Sequence, residues 1–143
     1  MGSRFGLVVR AGQSLGQLIV AGHYDVVDQD LLSSEFVAWR SRASHGEARL
    51  VAPRGILTTN EALELLRKKR LRPPNLEELL TYGAAFPEAT PRQTVVGLGW
   101  FWSCLGGVRH AACIINGRRR RRLILEPTDG VWVERDLFLA IRD

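Results

Sequence analysis

The sequence predicts an α+β domain in which about three short helices in the first two-thirds of the chain pack on a mostly antiparallel C-terminal sheet. Two observations lead to this prediction. Before residue 87, three capping motifs each precede apolar residues at helical spacing. After residue 93, apolar and aromatic runs alternate with turn residues. Helices early and strands late are typical of α+β folds rather than of alternating βαβ folds.

The first two elements are a strand and a capped helix. Apolar residues alternate with small or polar ones over residues 5–9, which predicts a strand with one buried face. Ser14 and Gln17 form a capping box at the start of a helix predicted over residues 14–21. Gly22 then ends that helix.

The next segment has a weaker pattern. Residues 23–34 carry scattered acidic side chains and predict a loop, with a brief extended piece at residues 24–27. Residues 35–42 and 47–52 are predicted as two strands around the turn-prone segment 44–46.

The second and third helices each begin at an N-terminal capping residue. Thr58 and Glu61 form a capping box, and Asn75 with Glu78 opens the third helix after the Pro73-Pro74 pair. The second helix ends in four basic residues, which interact favourably with the negative end of the helix dipole. The third helix is predicted to end near Ala85.

The last third of the chain is predicted to form antiparallel strands at residues 95–102, 111–115, 118–125, 131–133 and 137–141. Asn116 and Gly117 stand between two of these strands. An Asn-Gly pair favours the two positive-φ positions of a type I′ turn. We therefore expect a tight hairpin whose turn is Asn116-Gly117.

Composition indicates one folded domain over residues 1–143. The chain is 45% hydrophobic, which is too high for a disordered tail, and no apolar run approaches the roughly 20 residues that span a bilayer. Two cysteines are too few for a disulfide framework. The N-terminus lacks the apolar core of a secretory signal. We expect a cytoplasmic protein with no membrane partner.

No pattern for metal or cofactor chemistry is present. The histidines at positions 23, 45 and 110 are too dispersed for a metal motif. The acidic segment 25–30 lacks the glycine of a calcium-binding loop. Cys104 precedes two glycines and is the candidate nucleophile, with His110 as its base, although a structural thiol at a strand end is the favoured interpretation. The sequence favours a protein without catalysis, metal or cofactor.

The candidate anion-binding residues are five consecutive arginines, Arg118, Arg119, Arg120, Arg121 and Arg122. Guanidinium groups make bidentate contacts with phosphate or carboxylate. On a strand, residues 118, 120 and 122 would face one side and residues 119 and 121 the other. Three interpretations stay open: protection of a sheet edge by charge, binding of an anion or nucleic acid, and contact with an acidic protein partner. For nucleic acid, the basic segment 67–72 would have to widen the same patch.

The net charge of +5 is weak support for nucleic-acid binding. Arginine supplies 18 of the 20 basic residues. A GC-rich coding sequence produces this excess of arginine without any selection for phosphate contacts. The charge alone therefore does not identify a partner.

Three segments carry a resemblance to known proteins: residues 71–80, 96–102 and 137–142. They resemble a set of uncharacterised bacterial proteins over roughly the last 90 residues, and more distantly C-type-lectin-like domains of the formylglycine-generating-enzyme kind. This chain has Arg72-Pro73-Pro74 where that wider family usually has Arg-Leu-Pro. It also lacks the family's paired catalytic cysteines and calcium ligands. The resemblance therefore implies a lectin-like fold without the enzyme activity.

The function predicted from the sequence is a small noncatalytic binding or interaction module, with an unknown protein or small molecule as its partner. The alternative is anion or nucleic-acid binding through residues 118–122. An enzyme that uses Cys104 is the third and least favoured interpretation.

Overall fold

The computed structural model describes residues 4–86, 92–103 and 106–143. In this part of the chain the helices are α1 (Leu15–Ala21), α2 (Thr59–Lys68) and α3 (Leu76–Ala85). The strands are β1 (Arg4–Val9), β2 (Val26–Val27), β3 (Ser44–Val51), β4 (Leu57–Thr58), β5 (Thr94–Ser103), β6 (Arg109–Asn116), β7 (Arg121–Pro127), β8 (Val131–Trp132) and β9 (Asp136–Arg142). None of the described helices has the length and apolarity that a membrane span requires.

A seven-stranded sheet forms the centre of the fold, in the order β1-β3-β9-β5-β6-β7-β2. Its neighbouring strands are antiparallel, except that β9 runs parallel to β5 and β2 runs parallel to β7. Helices precede most of this sheet in the chain, and its pairing is mainly antiparallel. The predicted α+β class is therefore confirmed.

The strand β8 does not belong to this sheet. It pairs with β4 in a separate two-stranded ribbon, so the prediction that residues 131–133 continue the C-terminal antiparallel set is wrong. Trp132 fixes the ribbon: its Nε1 donates to Thr59 Oγ1 at 2.9 Å, and its ring meets Phe138 edge-on at 6.2 Å. These contacts favour the start of α2 over the sheet edge as the neighbour of β8.

Helices cover both faces of the sheet. Leu139 packs in the core beneath α1 and α3, whereas Phe138, the residue before it, packs in the core beneath α2. Both side chains are fully buried. Such strands have continuous apolar sequences because each face is covered. The result is a three-layer arrangement in which α2 covers one face and, of the described α-helices, α1 and α3 cover the other.

The two predicted capping boxes are confirmed, and Asn75 and Glu78 form a third at the predicted start of α3. The backbone N–H groups of Gln17, Glu61 and Glu78 donate to the side chains of the residues three positions earlier, at 3.1, 3.2 and 2.8 Å. The basic end of α2 is shorter than predicted. Lys69 is the C-cap, and Arg70 leaves the helix with a φ of 60°.

Around residue 40 the predictions are partly wrong. The extended piece at residues 24–27 is confirmed as β2, but residues 35–42 form a 3-10 turn and irregular backbone instead of a strand. There, Arg40 Nη1 donates to the carbonyl oxygens of Val37 and Trp39 at 2.9 and 2.7 Å. These local side-chain bonds satisfy carbonyls that a strand would have to pair with a neighbour.

The predicted turn at residues 44–46 lies inside β3. Gly46 pairs with Leu7, and a Cβ at position 46 would lie 2.9 Å from the Ile141 side chain. The glycine therefore serves close packing against β9 rather than a change of chain direction.

Candidate functional site

The hairpin turn in the arginine run lies beyond its predicted position. Asn116, the last residue of β6, pairs with Arg121, the first residue of β7. Residues 117–120 are therefore the link, and Gly117 N–H donates to Arg120 O at 2.9 Å. The predicted type I′ turn over Asn116 and Gly117 is wrong.

The type I′ turn does not form because Asn116 is the last residue of strand β6 and is paired with Arg121. Neither Asn116 nor Gly117 has the positive φ that a type I′ turn requires. Asn116 is buried, and its Oδ1 accepts a hydrogen bond from Arg121 Nε at 3.0 Å. The reversal of the chain falls instead on Arg118 and Arg119.

The five arginines consequently occupy different environments. Arg118, Arg119 and Arg120 are exposed on the link and do not alternate on a strand. Arg121 and Arg122 lie on β7 and point to opposite faces of the sheet. Arg121 points toward α1 and α3, and Arg122 points to the face that α2 covers. The predicted division into two opposed sets of arginines is therefore restricted to β7.

Arg121 is a structural residue. Its guanidinium donates to Gly22 O at the end of α1 and to Gly83 O in α3, the latter at 2.6 Å. The same group lies 4.7 Å from the centroid of the Tyr24 ring. Burial raises the pKa of Tyr24 to about 12, partly offset by the positive charge of Arg121. Through these contacts Arg121 connects α1 and α3 to strand β7.

Arg118 and Arg122 line an open groove on the same face of the sheet as α2. We call it the arginine groove, because four exposed arginines line it: Arg92, Arg118, Arg122 and Arg135. Its volume is about 450 Å³. This size lies within the range of small-molecule sites.

The floor of the arginine groove is a row of side chains across four strands. Arg122 pairs with Ile115, Ile115 with Thr94, and Thr94 with Asp136. Residues paired directly across a sheet point to the same face. Ile115 lies two positions after Cys113, which packs beneath α2, so this row faces the α2 side.

Backbone hydrogen bonds bring the other two arginines to the arginine groove. Arg92 N–H donates to Asn116 O at 2.6 Å, with Arg92 at a φ of 63°. Thr94 N–H donates to Arg135 O at 3.2 Å. Sequence reasoning missed Arg92 and Arg135 because each is a single arginine in a connecting segment, far in sequence from the run.

Two acidic residues also line the groove. Asp136 Oδ2 accepts the Val133 N–H at 2.7 Å, and Glu126 lies on β7, four residues after Arg122. Among the residues that the structure describes, no carboxylate oxygen lies within 4.0 Å of the guanidinium groups of the four groove arginines. Their donor groups are thus open to an anion from solution.

The basic segment 67–72 does not widen this patch. Arg72 pairs with Ile141, whereas the row that forms the groove floor reaches β9 at Asp136. Five residues along a strand separate these positions, a distance of about 17 Å. Arg72 is also occupied, since it binds Glu78 through two bonds of 2.8 Å and Asp143 at 2.8 Å. The two arginine-rich segments therefore lie at opposite ends of the sheet.

The residues considered for catalysis and metal binding are not assembled into a site in the described part of the chain. Cys104 lies outside the described residues. Cys113 is a buried free thiol whose pKa is raised by burial. His110 lies beside Trp102, with ring centroids 5.8 Å apart. Within residues 4–86, 92–103 and 106–143, no three His, Cys, Asp or Glu side chains are grouped so that they could hold a metal ion.

Comparison with known proteins gave no relative. A scan against protein-family models found no match, and searches of curated proteins and of solved structures found no similar chain. The resemblance to C-type-lectin-like domains stays a prediction.

Proposed function

We propose that this protein is a noncatalytic binding module whose ligand is a small, multiply charged anion held in the arginine groove. The observation that carries the proposal is the meeting of four exposed arginines around one groove, with no carboxylate of the described residues in ion-pair contact with them. A guanidinium group binds phosphate or carboxylate through two parallel N–H donors. A diphosphate group is the simplest ligand that could contact several of them at once.

The acidic residues of the groove define the rest of the ligand. Glu126 supplies carboxylate oxygens that accept hydrogen bonds, and Asp136 has one oxygen that is not used by Val133 N–H. A ligand that carries hydroxyl or amino groups beside its negative charges satisfies both kinds of side chain. A bare polyanion such as pyrophosphate contacts the arginines but offers these two carboxylates no donor, so it should bind more weakly than a ligand with hydroxyl or amino groups.

Nucleic-acid binding has less support. Proteins that bind single strands combine basic residues with aromatic faces on which bases stack. The tryptophan that lines this groove, Trp132, is buried, and its Nε1 is bonded to Thr59. The second basic segment, 67–72, lies at the other end of the sheet.

Protection of a sheet edge by charge has less support as well. The parallel strand β2 covers the outer side of β7, where Val26 pairs with Arg122 and Val27 with Leu123. Arg122 therefore does not guard an open row of backbone groups. A cytoplasmic location remains part of the proposal, and the free thiol of Cys113 agrees with it.

The test is titration calorimetry with pyrophosphate as the probe. Arg118→Gln and Arg119→Gln remove the same charge from the same hairpin link, but only Arg118 lines the groove. We expect Arg118→Gln to weaken pyrophosphate binding about tenfold, since a hydrogen bond to a charged group is lost. Arg119→Gln should change it less than about twofold, as an exposed charge does.

Equal losses in the two variants would show that diffuse charge attracts the probe, and would overturn the proposal. So would the absence of pyrophosphate binding at low ionic strength. Labelled RNA and DNA oligonucleotides titrated across a salt series form a further arm. If they bind more tightly than pyrophosphate and lose affinity equally in both variants, the nucleic-acid alternative replaces the small anion.

A further inference from the structure

A second groove lies on the other flank of α2, where the helix leaves β3 uncovered. We call it the β3 groove. Its volume is about 760 Å³. Its apolar wall comes from three elements, through Val51 on β3, Leu57 on β4 and Leu65 on α2. All three side chains pack against the core beneath α2, so the wall is fixed by the fold.

Three cations surround this apolar wall: Arg49, Arg54 and Lys69. Arg54 and Lys69 are exposed. None of the described residues that line the groove is acidic. The β3 groove thus differs from the arginine groove, which combines four arginines with two carboxylates.

Local geometry explains why these residue types meet. Arg49 and Val51 are two positions apart on β3 and so point to the same face. Leu65 is followed four residues later by Lys69, which places both on one side of α2 and its C-cap. Lys68, the neighbour of Lys69, is also exposed but does not line the groove.

Arg49 has an unused donor. Its Nη2 binds Glu47 Oε1 at 3.2 Å, and its side chain is 18% exposed. Its Nε is buried and has no hydrogen-bond partner among the described residues. Because that Nε is covered by protein atoms, Arg49 contributes positive charge to the edge of the groove rather than a donor at Nε.

We propose that the β3 groove binds a small amphipathic carboxylate, an aliphatic chain that ends in a carboxylate group. The chain would lie on Val51, Leu57 and Leu65, and the carboxylate would be held by Lys69 and Arg54, beside the positive charge of Arg49. Binding requires both the cations and the apolar wall. The ligand of the β3 groove therefore differs from the polar anion proposed for the arginine groove. This inference does not depend on the proposed function.

The test uses octanoate as the probe, with octylamine and 1-octanol as matched molecules of opposite and zero charge. We expect binding of octanoate by titration calorimetry and no detectable binding of octylamine. Octanoate should bind more tightly than hexanoate, by up to about fourfold for each added CH₂ that is buried. Amide NMR signals of Leu65 and Lys69 should shift on addition of octanoate.

Lys69→Gln and Lys68→Gln are the matched variants, because both remove an exposed lysine at the end of α2. We expect about fivefold weaker octanoate binding for Lys69→Gln and no change for Lys68→Gln. Pyrophosphate binding should be the same in both variants and in the unchanged protein, which keeps the two sites distinguishable.

Three results would overturn the proposal. The first is octylamine binding as well as octanoate, because the cations would then play no part in recognition. The second is an equal effect of the two lysine variants. The third is a dimer, detected by sedimentation without any ligand and lost in Lys69→Gln, since a second copy of the chain would then occupy the groove.

Discussion

The guanidinium of Arg121 lies 4.7 Å from the centroid of the Tyr24 ring, between the end of α1 and the last turn of α3. The ring fits there because Gly22 and Gly83 have no side chains. A Cβ at position 83 would lie 2.3 Å from the Tyr24 hydroxyl oxygen. One arginine of the run therefore has a structural role, while its neighbours on the link are exposed.

Replacement of Arg121 by lysine should destabilise the fold. A lysine ammonium cannot reach the carbonyls of Gly22 and Gly83 together with Asn116 Oδ1, because it lacks the planar fork of donors. We expect the free energy of unfolding to fall by about 2 kcal/mol or more. Urea unfolding followed by tryptophan fluorescence measures it.

Arg120→Lys is the control for Arg121→Lys. Arg120 is exposed on the hairpin link, and an exposed substitution of this kind changes stability by less than about 0.5 kcal/mol. A loss of stability that is equal for the two variants would contradict the structural role of Arg121.

High pH should unfold the protein through its two tyrosines. Burial raises the pKa values of Tyr24 and Tyr82 to about 12, above the usual value of 10.0. Between pH 10 and 12 the unfolded chain loses these protons and the folded chain keeps them. The contribution of the two tyrosines to the free energy of unfolding should therefore be constant below pH 10. Above pH 10 the free energy of unfolding should fall by up to about 1.4 kcal/mol per pH unit for each tyrosine.

The measurement is the ultraviolet absorbance of tyrosinate, which reports on two groups only, because the chain contains two tyrosines. We expect the native midpoint to lie well above that of the urea-unfolded chain. Tyr24→Phe supplies the control: half of the high-pH change should disappear. Coincident titrations of the native and unfolded protein would refute the expected effect.

Glu78 should matter far more than Asp143, although both bind Arg72. Glu78 is 2% exposed, accepts two bonds of 2.8 Å from Arg72, and also accepts the Asn75 N–H in the capping box of α3. Glu78→Gln would leave the half-exposed Arg72 without its buried partner. We expect a loss of about 2 to 3 kcal/mol in thermal or urea unfolding.

Asp143→Asn is the comparison, because the Asp143 side chain is 70% exposed and solvent screens its ion pair with Arg72. Hydrogen bonds from Arg72, together with the positive charge of Arg72, lower the pKa of Asp143. Its contribution is therefore present at neutral pH and is lost on acidification. A larger effect for Asp143→Asn than for Glu78→Gln would contradict this order.

Local signals predicted the helices well, because a capping box lies within four residues. Ser14, Thr58 and Asn75 each open a helix at the expected position. The hairpin turn was misplaced for a different reason. The local preference of Asn-Gly for a turn is weaker than the use of buried Asn116 in the sheet and in its bond to Arg121.

Pairings between distant segments could not be read from the sequence. The partner of β8 is β4, about half the chain away, and periodicity does not specify a partner strand. The arginine groove was predicted only in part for the same reason. Arg118 and Arg122 come from the visible run, but Arg92 and Arg135 reach the groove through backbone bonds to Asn116 and Thr94.

Gly99 should be the least tolerant of the strand glycines to substitution. The pairing of β5 with β6 shifts between Gly97 and Phe101, so residues 98–100 bulge out toward the segment before α3. A Cβ at Gly99 would lie 2.1 Å from Pro74 O, a backbone atom that cannot turn aside. We expect Gly99→Ala to lower stability by about 2 kcal/mol or more, measured by urea unfolding.

Gly6→Ala, in β1, is the matched control, because a Cβ there meets no atom within 4 Å and should leave stability unchanged or raise it slightly. If Gly99→Ala were as stable as Gly6→Ala, Pro74 could not lie against the bulge, and the path of the chain into α3 would have to differ.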